Sequence, residues 1–340
     1  MIAALLLATA TAATSSPALC LAAPPPSAAS LAHAVAAAPA DRPQAMPVIH
    51  TEGTLPHTGI HDASAAAVRD FGYMLDLALA WRNTRDRASL DRLATYLDAW
   101  TRVYRPSFDP IDETGLGHLI AAYRLTAPDL PADVARQTRD FIRRLGSGYL
   151  DQMDTHVGDP HGIWSNNWQS HRVKLAVLAA VAVNDDALFA RARAAFVRQL
   201  SINMKPGGEV IDFAERDALH YVTYDLEPLT LAAVAARSRG EDWLRLPGHD
   251  GQTLAAGLDW LLPYAEGKRS HEEFVHSSVK FDAARAKAGL PGFSGSWDTG
   301  NARALYWSAS LLDTRYADVA QKLAPEPPRW LWAYALPCRR

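Results

Sequence analysis

From His61 onward, apolar residues recur at steps of three and four, and the stretches between these runs are short and carry Pro, Gly or Asp. That period belongs to α-helices with one buried stripe, and no alternating strand pattern competes with it over any length. The runs predict helices over about 62–82, 86–104, 112–126, 131–151, 165–183, 185–203, 215–237, 253–265, 271–288, 298–311 and 313–323. Start signals stand where such helices need them: Asp62 before Ala63, Pro131 with Asp133 in a first turn, and Ser165 or Asn166 ahead of the run ending at Val183. Lys205-Pro-Gly-Gly208 cannot continue a helix and marks a turn, and Glu209–Phe213 reads as a short extended piece. With no repeat of fixed length, a consensus solenoid is disfavoured. The expected fold is all-α, an α/α toroid or incomplete barrel of antiparallel helix pairs, with residues 57–340 as one domain.

Composition narrows the partners. Of 340 residues, 49% are apolar and 21% charged, enough apolar material for a real core. Lys plus Arg number 34 against 37 Asp plus Glu, a net charge of -3, so neither nucleic acid nor an acidic membrane surface is an expected partner and any positive site must be local. The first forty residues contain no Asp, Glu, Lys or Arg. Residues 1–22 read as a signal peptide, too short and too broken by Thr and Ser to span a bilayer, and 23–56 as a flexible Ala/Pro-rich leader. The expectation is a periplasmic or secreted monomer. Cys20 falls in the segment expected to be removed, which leaves Cys338 alone and no internal disulfide.

Two segments put polar groups where a helical core avoids them. In Gly162-Ile-Trp-Ser-Asn-Asn-Trp-Gln-Ser-His-Arg-Val-Lys174, a helix starting near Asn166 sets Asn167, His171 and Lys174 on one side at i, i+4 and i+7. A pair of Asn residues can equally well cap and turn, with His171 an ordinary hydrogen-bonded histidine. In Phe213-Ala-Glu-Arg-Asp-Ala-Leu-His-Tyr-Val-Thr-Tyr224, one helix would carry Arg216, His220 and Tyr224 as successive i+4 neighbours, a cation, an imidazole and a phenol able to do acid–base work. The bland alternative pairs Arg216 with a neighbouring carboxylate and packs His220 and Tyr224.

Ser165-Asn-Asn-Trp-Gln-Ser-His171 and Arg216-Asp-Ala-Leu-His-Tyr-Val-Thr-Tyr-Asp-Leu-Glu-Pro-Leu229 together resemble the alginate lyase family of polysaccharide lyases, and Phe108-Asp-Pro-Ile-Asp-Glu-Thr114 is similar to an early helix start in those enzymes. The resemblance implies a toroid with a central cleft and cleavage of alginate or a related polyuronate by β-elimination, with no metal and no cofactor. It implies that Asn167 neutralises the substrate carboxylate and that Tyr224 is acid and base. The chain departs from the family pattern at three places: Trp168 follows Asn-Asn where the family has His, Val222 stands between the two Tyr residues, and Arg216 lies one residue farther from Tyr224.

Elimination explains these residue types. The C5 proton of a uronate is weakly acidic because its removal adds negative charge beside a carboxylate, so that carboxylate must be quenched first. Asn167 and Arg216 suit the quenching, His220 or His171 can assist, and Tyr224 can act if a nearby cation lowers its pKa. Trp164, Trp168 and Tyr221 are candidates for stacking on sugar rings, and Arg172 and Lys174 for attracting the polyanion. His271 and His276 are five apart and do not share a helix face as zinc ligands at i, i+4 do; they read as the start of a helix at the cleft rim. The rival readings are a glycoside hydrolase using Asp112 or Glu113 with Glu209, Asp212 or Asp217, and a non-catalytic polysaccharide-binding protein.

Overall fold

The computed structural model describes residues 19–36, 42–159 and 162–338. Most of the predicted signal peptide, residues 1–18, lies outside the described residues.

Fourteen α-helices are described: α1 (Ala28–Ala36), α2 (His61–Ala67), α3 (Arg69–Thr84), α4 (Arg87–Val103), α5 (Leu116–Thr126), α6 (Ala132–Thr155), α7 (Asn167–Val183), α8 (Asp186–Asn203), α9 (Ile211–Arg216), α10 (Leu219–Arg237), α11 (Leu254–Ala265), α12 (Lys280–Lys287), α13 (Arg303–Ser310) and α14 (Ala317–Leu323). Two strands of two residues each, β1 (Cys20–Leu21) and β2 (Leu336–Pro337), pair in parallel. Side-chain caps start several helices: Asp86 accepts from Ala88 and Ser89, Asn166 from Trp168, Asp185 from Leu188 and Thr253 from Ala256.

At the centre lies α7, packed on α5, α6, α8 and α10. Its residues are buried on nearly every side, as expected for a helix whose last two turns, Leu175 to Val183, carry no charge. Gly146 allows α6 to approach it: a Cβ there would stand 2.7 Å from that of Ala179. The sequence-adjacent pairs α3 with α4, α7 with α8 and α10 with α11 pack together around the remaining core.

Four expectations change. The predicted helix 215–237 is two helices, because Asp217 turns left-handed at φ 48° and ends α9. The extended piece expected over 209–213 stops at Val210, which is extended and bridges Met204; α9 begins at Ile211. Only 280–287 of the predicted 271–288 is helical, since Phe274 is left-handed and the Glu273 carboxylate turns back to accept from the Leu219 and His220 N–H groups at the start of α10. His271 and His276 therefore lie in a loop.

The leader is the fourth. Gln44 donates its N–H to Asp70 at 2.6 Å, the N–H groups of Thr51 and Glu52 reach Asp112 at 2.7 and 2.9 Å, and α1 packs on α3 with Leu31 fully buried. Cys20 is disulfide-bonded to Cys338, 318 residues away, and Leu336 and Cys338 donate to the carbonyls of Leu19 and Leu21. Local composition misses this because the few apolar residues of the leader dock on partners far along the chain.

Candidate active-site cleft

Three cavities meet around Tyr224 and Thr114. One of about 250 Å³ is lined by Thr114, His118, His171, Lys174, Tyr224, Glu227 and Trp330. A second of about 570 Å³ shares Thr114 and His118 with it and adds Arg69, Tyr73, Asp76 and Asp112. The third, about 350 Å³, lies on the other side of Tyr224, between Thr51, Glu52, His220, Tyr221, Arg285 and Phe293. Tyr224 therefore stands in the wall between two chambers, placed there by α10.

His171, on α7, packs its ring 4.4 Å from that of Tyr224. Its Nδ1 lies 2.7 Å from the Thr114 hydroxyl, which in turn accepts from Lys174 Nζ at 2.6 Å; the same Nζ donates to the Thr114 carbonyl at 3.1 Å. Because Lys174 is a donor only, Thr114 can pass its own hydrogen to Nδ1 and leave the proton of a neutral His171 on Nε2. That Nε2 is buried with no partner in hydrogen-bonding geometry, although the main chain of Tyr224 is near enough to favour the protonated ring. A physical reason lies in Pro228: with no N–H, it leaves the Tyr224 carbonyl without its helical donor. Burial, then the Lys174 charge, pushes the His171 pKa well below the ordinary value, so the ring is neutral at pH 7. Burial also pushes Lys174 down to about 8 and, with Lys174, His118 down to about 4.

Tyr224 departs from expectation. Burial first, then the nearby Glu52 charge, raises its pKa, so no cation holds it ionised and the resting group is a phenol. His220, one turn earlier on α10, sits among Tyr221, Phe274 and Phe293. Burial, then Arg285 and Arg216, lowers its pKa and keeps it a neutral imidazole.

The other predicted residues separate from this group. Asn167 is buried, and its N–H and Nδ2 both donate to Asp212, at 2.7 and 2.6 Å. No described cavity has it as lining alongside Tyr224. Arg216, at the end of α9 and not on the α10 stripe, is tied to Asp282 at 2.6 Å and lies 3.8 Å over the Tyr221 ring. Arg172 is buried, donates to the Ile163 carbonyl at 2.6 Å and is held between Trp164 and Trp168; burial takes its pKa to about 10. It is not a surface attractor for polyanions. Trp164 is occupied by Arg172 and by His156, stacked at 3.6 Å, while Tyr221 lines the cleft and its hydroxyl accepts from Arg285 at 2.8 Å.

Carboxylates named for the hydrolytic alternative are engaged elsewhere. Asp112 pins the 50–52 loop, Glu113 accepts from the hydroxyls of Tyr104 and Tyr149, Glu209 pairs with Lys205, and Asp217 caps a loop through the His276 N–H. Sequence reasoning missed Glu52, His118, Glu227, Arg285 and Trp330. Glu52 lies in the leader, Arg285 in a short, strongly charged run and Trp330 in a short 3₁₀ turn near the C-terminus, so none carries a local signal; Thr114 and Glu227 fall inside the quoted segments but have no role there.

A family model described as alginate lyase matches residues 22–271. A polysaccharide lyase of Stenotrophomonas maltophilia is 39% identical over 83 residues, a stretch equal to 24% of this chain and 25% of that protein. This chain thus spans about a quarter of the length of that curated relative. Among solved structures, an alginate lyase from Bacteroides ovatus superposes with a TM-score of 0.65 at 13% identity, over 92% of this chain and 93% of that one. Alginate lyase A1-III from Sphingomonas species A1 follows with a TM-score of 0.52 at 16% identity, over 85% and 79%. At such identities the likeness is one of fold, and the fold is the α/α toroid.

Proposed function

We propose that this chain, which belongs to the alginate lyase family, is a polysaccharide lyase that cuts a uronate-containing polymer by β-elimination, with protein groups rather than a metal ion managing the charge. The observation that carries the reading is Tyr224 as a protonated phenol between two cavities, with the neutral imidazole of His171 packed on its ring and that of His220 lining the second cavity with it. The relatives described as polysaccharide lyase and alginate lyase support alginate or a related polyuronate as substrate.

Elimination needs a base at C5 and an acid at the glycosidic oxygen. His220 and Tyr224 are i, i+4 on α10, so their Cβ atoms stand about 5–6 Å apart, within reach of one sugar. The neutral His220 takes the C5 proton; the C4–O bond breaks as the C4–C5 double bond forms; the Tyr224 hydroxyl protonates the departing oxygen. Exchange with solvent then returns a proton from His220 to Tyr224. Tyr224 acting alone as base and acid would first have to ionise, which its burial and Glu52 oppose. His171, anchored through Thr114 to Lys174, holds the Tyr224 ring in place, and Lys174 gives the adjoining cavity its positive charge. Asn167 supports the start of α7 through Asp212 rather than meeting the sugar.

The Cys20–Cys338 bond supports a periplasmic or secreted location, where such bonds persist. The test is direct: incubate the purified protein with a panel of polymannuronate, polyguluronate and glucuronan and follow the ultraviolet absorbance of the conjugated double bond. Expected is a rise that Tyr224→Phe abolishes. Chains shortened with no such rise would mean hydrolysis.

A further inference from the structure

Two guanidinium groups lie beside Tyr221, close to the Tyr224 phenol, and they differ in what they have left to bind. Arg216 is turned away from the cavity that Tyr224 lines: its Nη1 is 2.6 Å from Asp282, its plane covers Tyr221 at 3.8 Å, and its unpartnered Nε is buried out of reach of a ligand. Arg285 lines the Tyr224 cavity directly with its side chain 14% exposed. Its guanidinium lies 4.4 Å from the Phe281 ring and 5.1 Å from that of Phe293, and donates one hydrogen bond, to the Tyr221 hydroxyl at 2.8 Å. Its two carboxylate neighbours are loose: Glu52 and Asp282 each stand at 3.8 Å, beyond hydrogen-bonding distance. A guanidinium offers five N–H donors in a planar fork that fits a carboxylate bidentately. Here the fork is held by aromatic rings, faces the cleft, and has most of its donors unused.

We propose that Arg285, not Arg216, receives the carboxylate of the sugar under attack, and that Glu52 holds its place until substrate arrives. This rests on the polyuronate lyase reading above. Glu52 cannot follow Arg285 far, because its N–H is pinned to Asp112 at 2.9 Å and the 50–52 loop is fixed there by Thr51 and His50. A bound uronate can approach more closely than 3.8 Å and replace that long pair with a bidentate one. His220, beside Arg285 in the same cavity, then lies next to the C5 hydrogen whose removal the quenched carboxylate permits.

The experiment uses the full chain carrying Tyr224→Phe, so that nothing is turned over, titrated with tetramannuronate and tetraglucuronate and with the same sugars after reduction of their acids to alcohols. The parent is expected to prefer an acid tetrasaccharide to its alcohol. Arg285→Gln should reduce acid binding by about tenfold to a hundredfold and bring acid and alcohol close together, Arg285→Lys should recover part of the loss, and Glu52→Gln should tighten acid binding. Arg216→Gln should retain the preference, with circular dichroism confirming the fold of every variant. If Arg285→Gln keeps the preference, or if Arg216→Gln loses it while Arg285→Gln does not, the assignment is overturned. A parent that binds neither acid tetrasaccharide sinks the polyuronate reading itself, an outcome distinct from either.

Discussion

Two polar regions lie close together in this protein and behave in opposite ways. Beneath the start of α7, Asn167, Asp212, Ser170, Asp225, Gln199 and Asn203 form a buried knot in which nearly every donor has an acceptor: Asn167 to Asp212, Ser170 and Asn203 to Asp225, Gln199 to Ser170 and to the carbonyls of Ser165 and Asn166; the oxygens left over, Gln199 Oε1, Asn203 Oδ1 and Asp225 Oδ2, are closed off from solvent. In the cleft, Tyr224, His220 and Arg285 keep hydrogen-bonding capacity free and share a cavity. Asn167 and Tyr224 looked equally functional as residue types. The difference teaches that a buried polar group whose partners are all inside the protein holds the fold, whereas one with unmet capacity facing a cavity is available to a ligand.

That contrast breaks most readily at Tyr224. Tyr224→Phe removes the acid and should lower kcat by about a thousandfold, while the melting temperature stays near that of the parent, because the ring packing on His171 is kept; steady-state kinetics and calorimetry read the two effects. Equal loss of rate and stability would mean that Tyr224 belongs with the knot.

Cys20→Ser serves as the opposite control, touching neither region. Loss of the bond that ties β1 to β2 should cost about 2–5 kcal/mol in denaturant unfolding, and kcat should hold at temperatures where the protein is folded. If the intact mass of the mature protein shows that Cys20 has been removed, β1 and its bond to Cys338 are not part of the mature chain.

Asn167→Ala sharpens the comparison from within the knot. It takes the Nδ2 donor from the buried Asp212 and should cost about 1–3 kcal/mol of stability, with kcat changed less than tenfold. Asp212 itself adds a pH signature. Burial raises its pKa, against the hydrogen bonds from Asn167, and raises that of the neighbouring Asp225 with it. The folded state then binds more protons than the unfolded one above about pH 4, so the pair's contribution to stability falls as pH rises from there.

The smallest expected effect is at Lys174, whose folded pKa of about 8 lies below its ordinary value because of burial. The unfolded chain binds the extra proton between about pH 8 and 10.5, so stability should rise with pH across that range, and Lys174→Met should flatten the rise. Activity should decline above pH 8 as the cavity loses this charge, and the variant should lack that limb of the profile.

Much of the scaffold could be read locally. The runs 86–104, 131–151, 165–183, 185–203 and 253–265 correspond to α4, α6, α7, α8 and α11 within a few residues, because amphipathic spacing and caps such as Asp86, Asn166 and Thr253 act over one or two turns. The break at Asp217 was not legible: a left-handed residue between two helix-forming stretches leaves no mark in periodicity, and it moved Arg216 off the stripe that carries His220 and Tyr224. Glu52 and Arg285, 233 positions apart in the numbering, meet only because the loop fixed by Asp112 crosses the cleft mouth.

From the sequence alone came the helical class, the i, i+4 relation of His220 and Tyr224, and the two segments that resemble the alginate lyase family. Each depends on spacing within one helix or one short motif. The tertiary structure alone decided which polar side chains are free. Whether Asn167 meets Asp212, whether Arg216 is held by Asp282 and whether Cys20 reaches Cys338 depend on pairs 45, 66 and 318 residues apart, and contacts over such separations are set by packing, which no local pattern encodes.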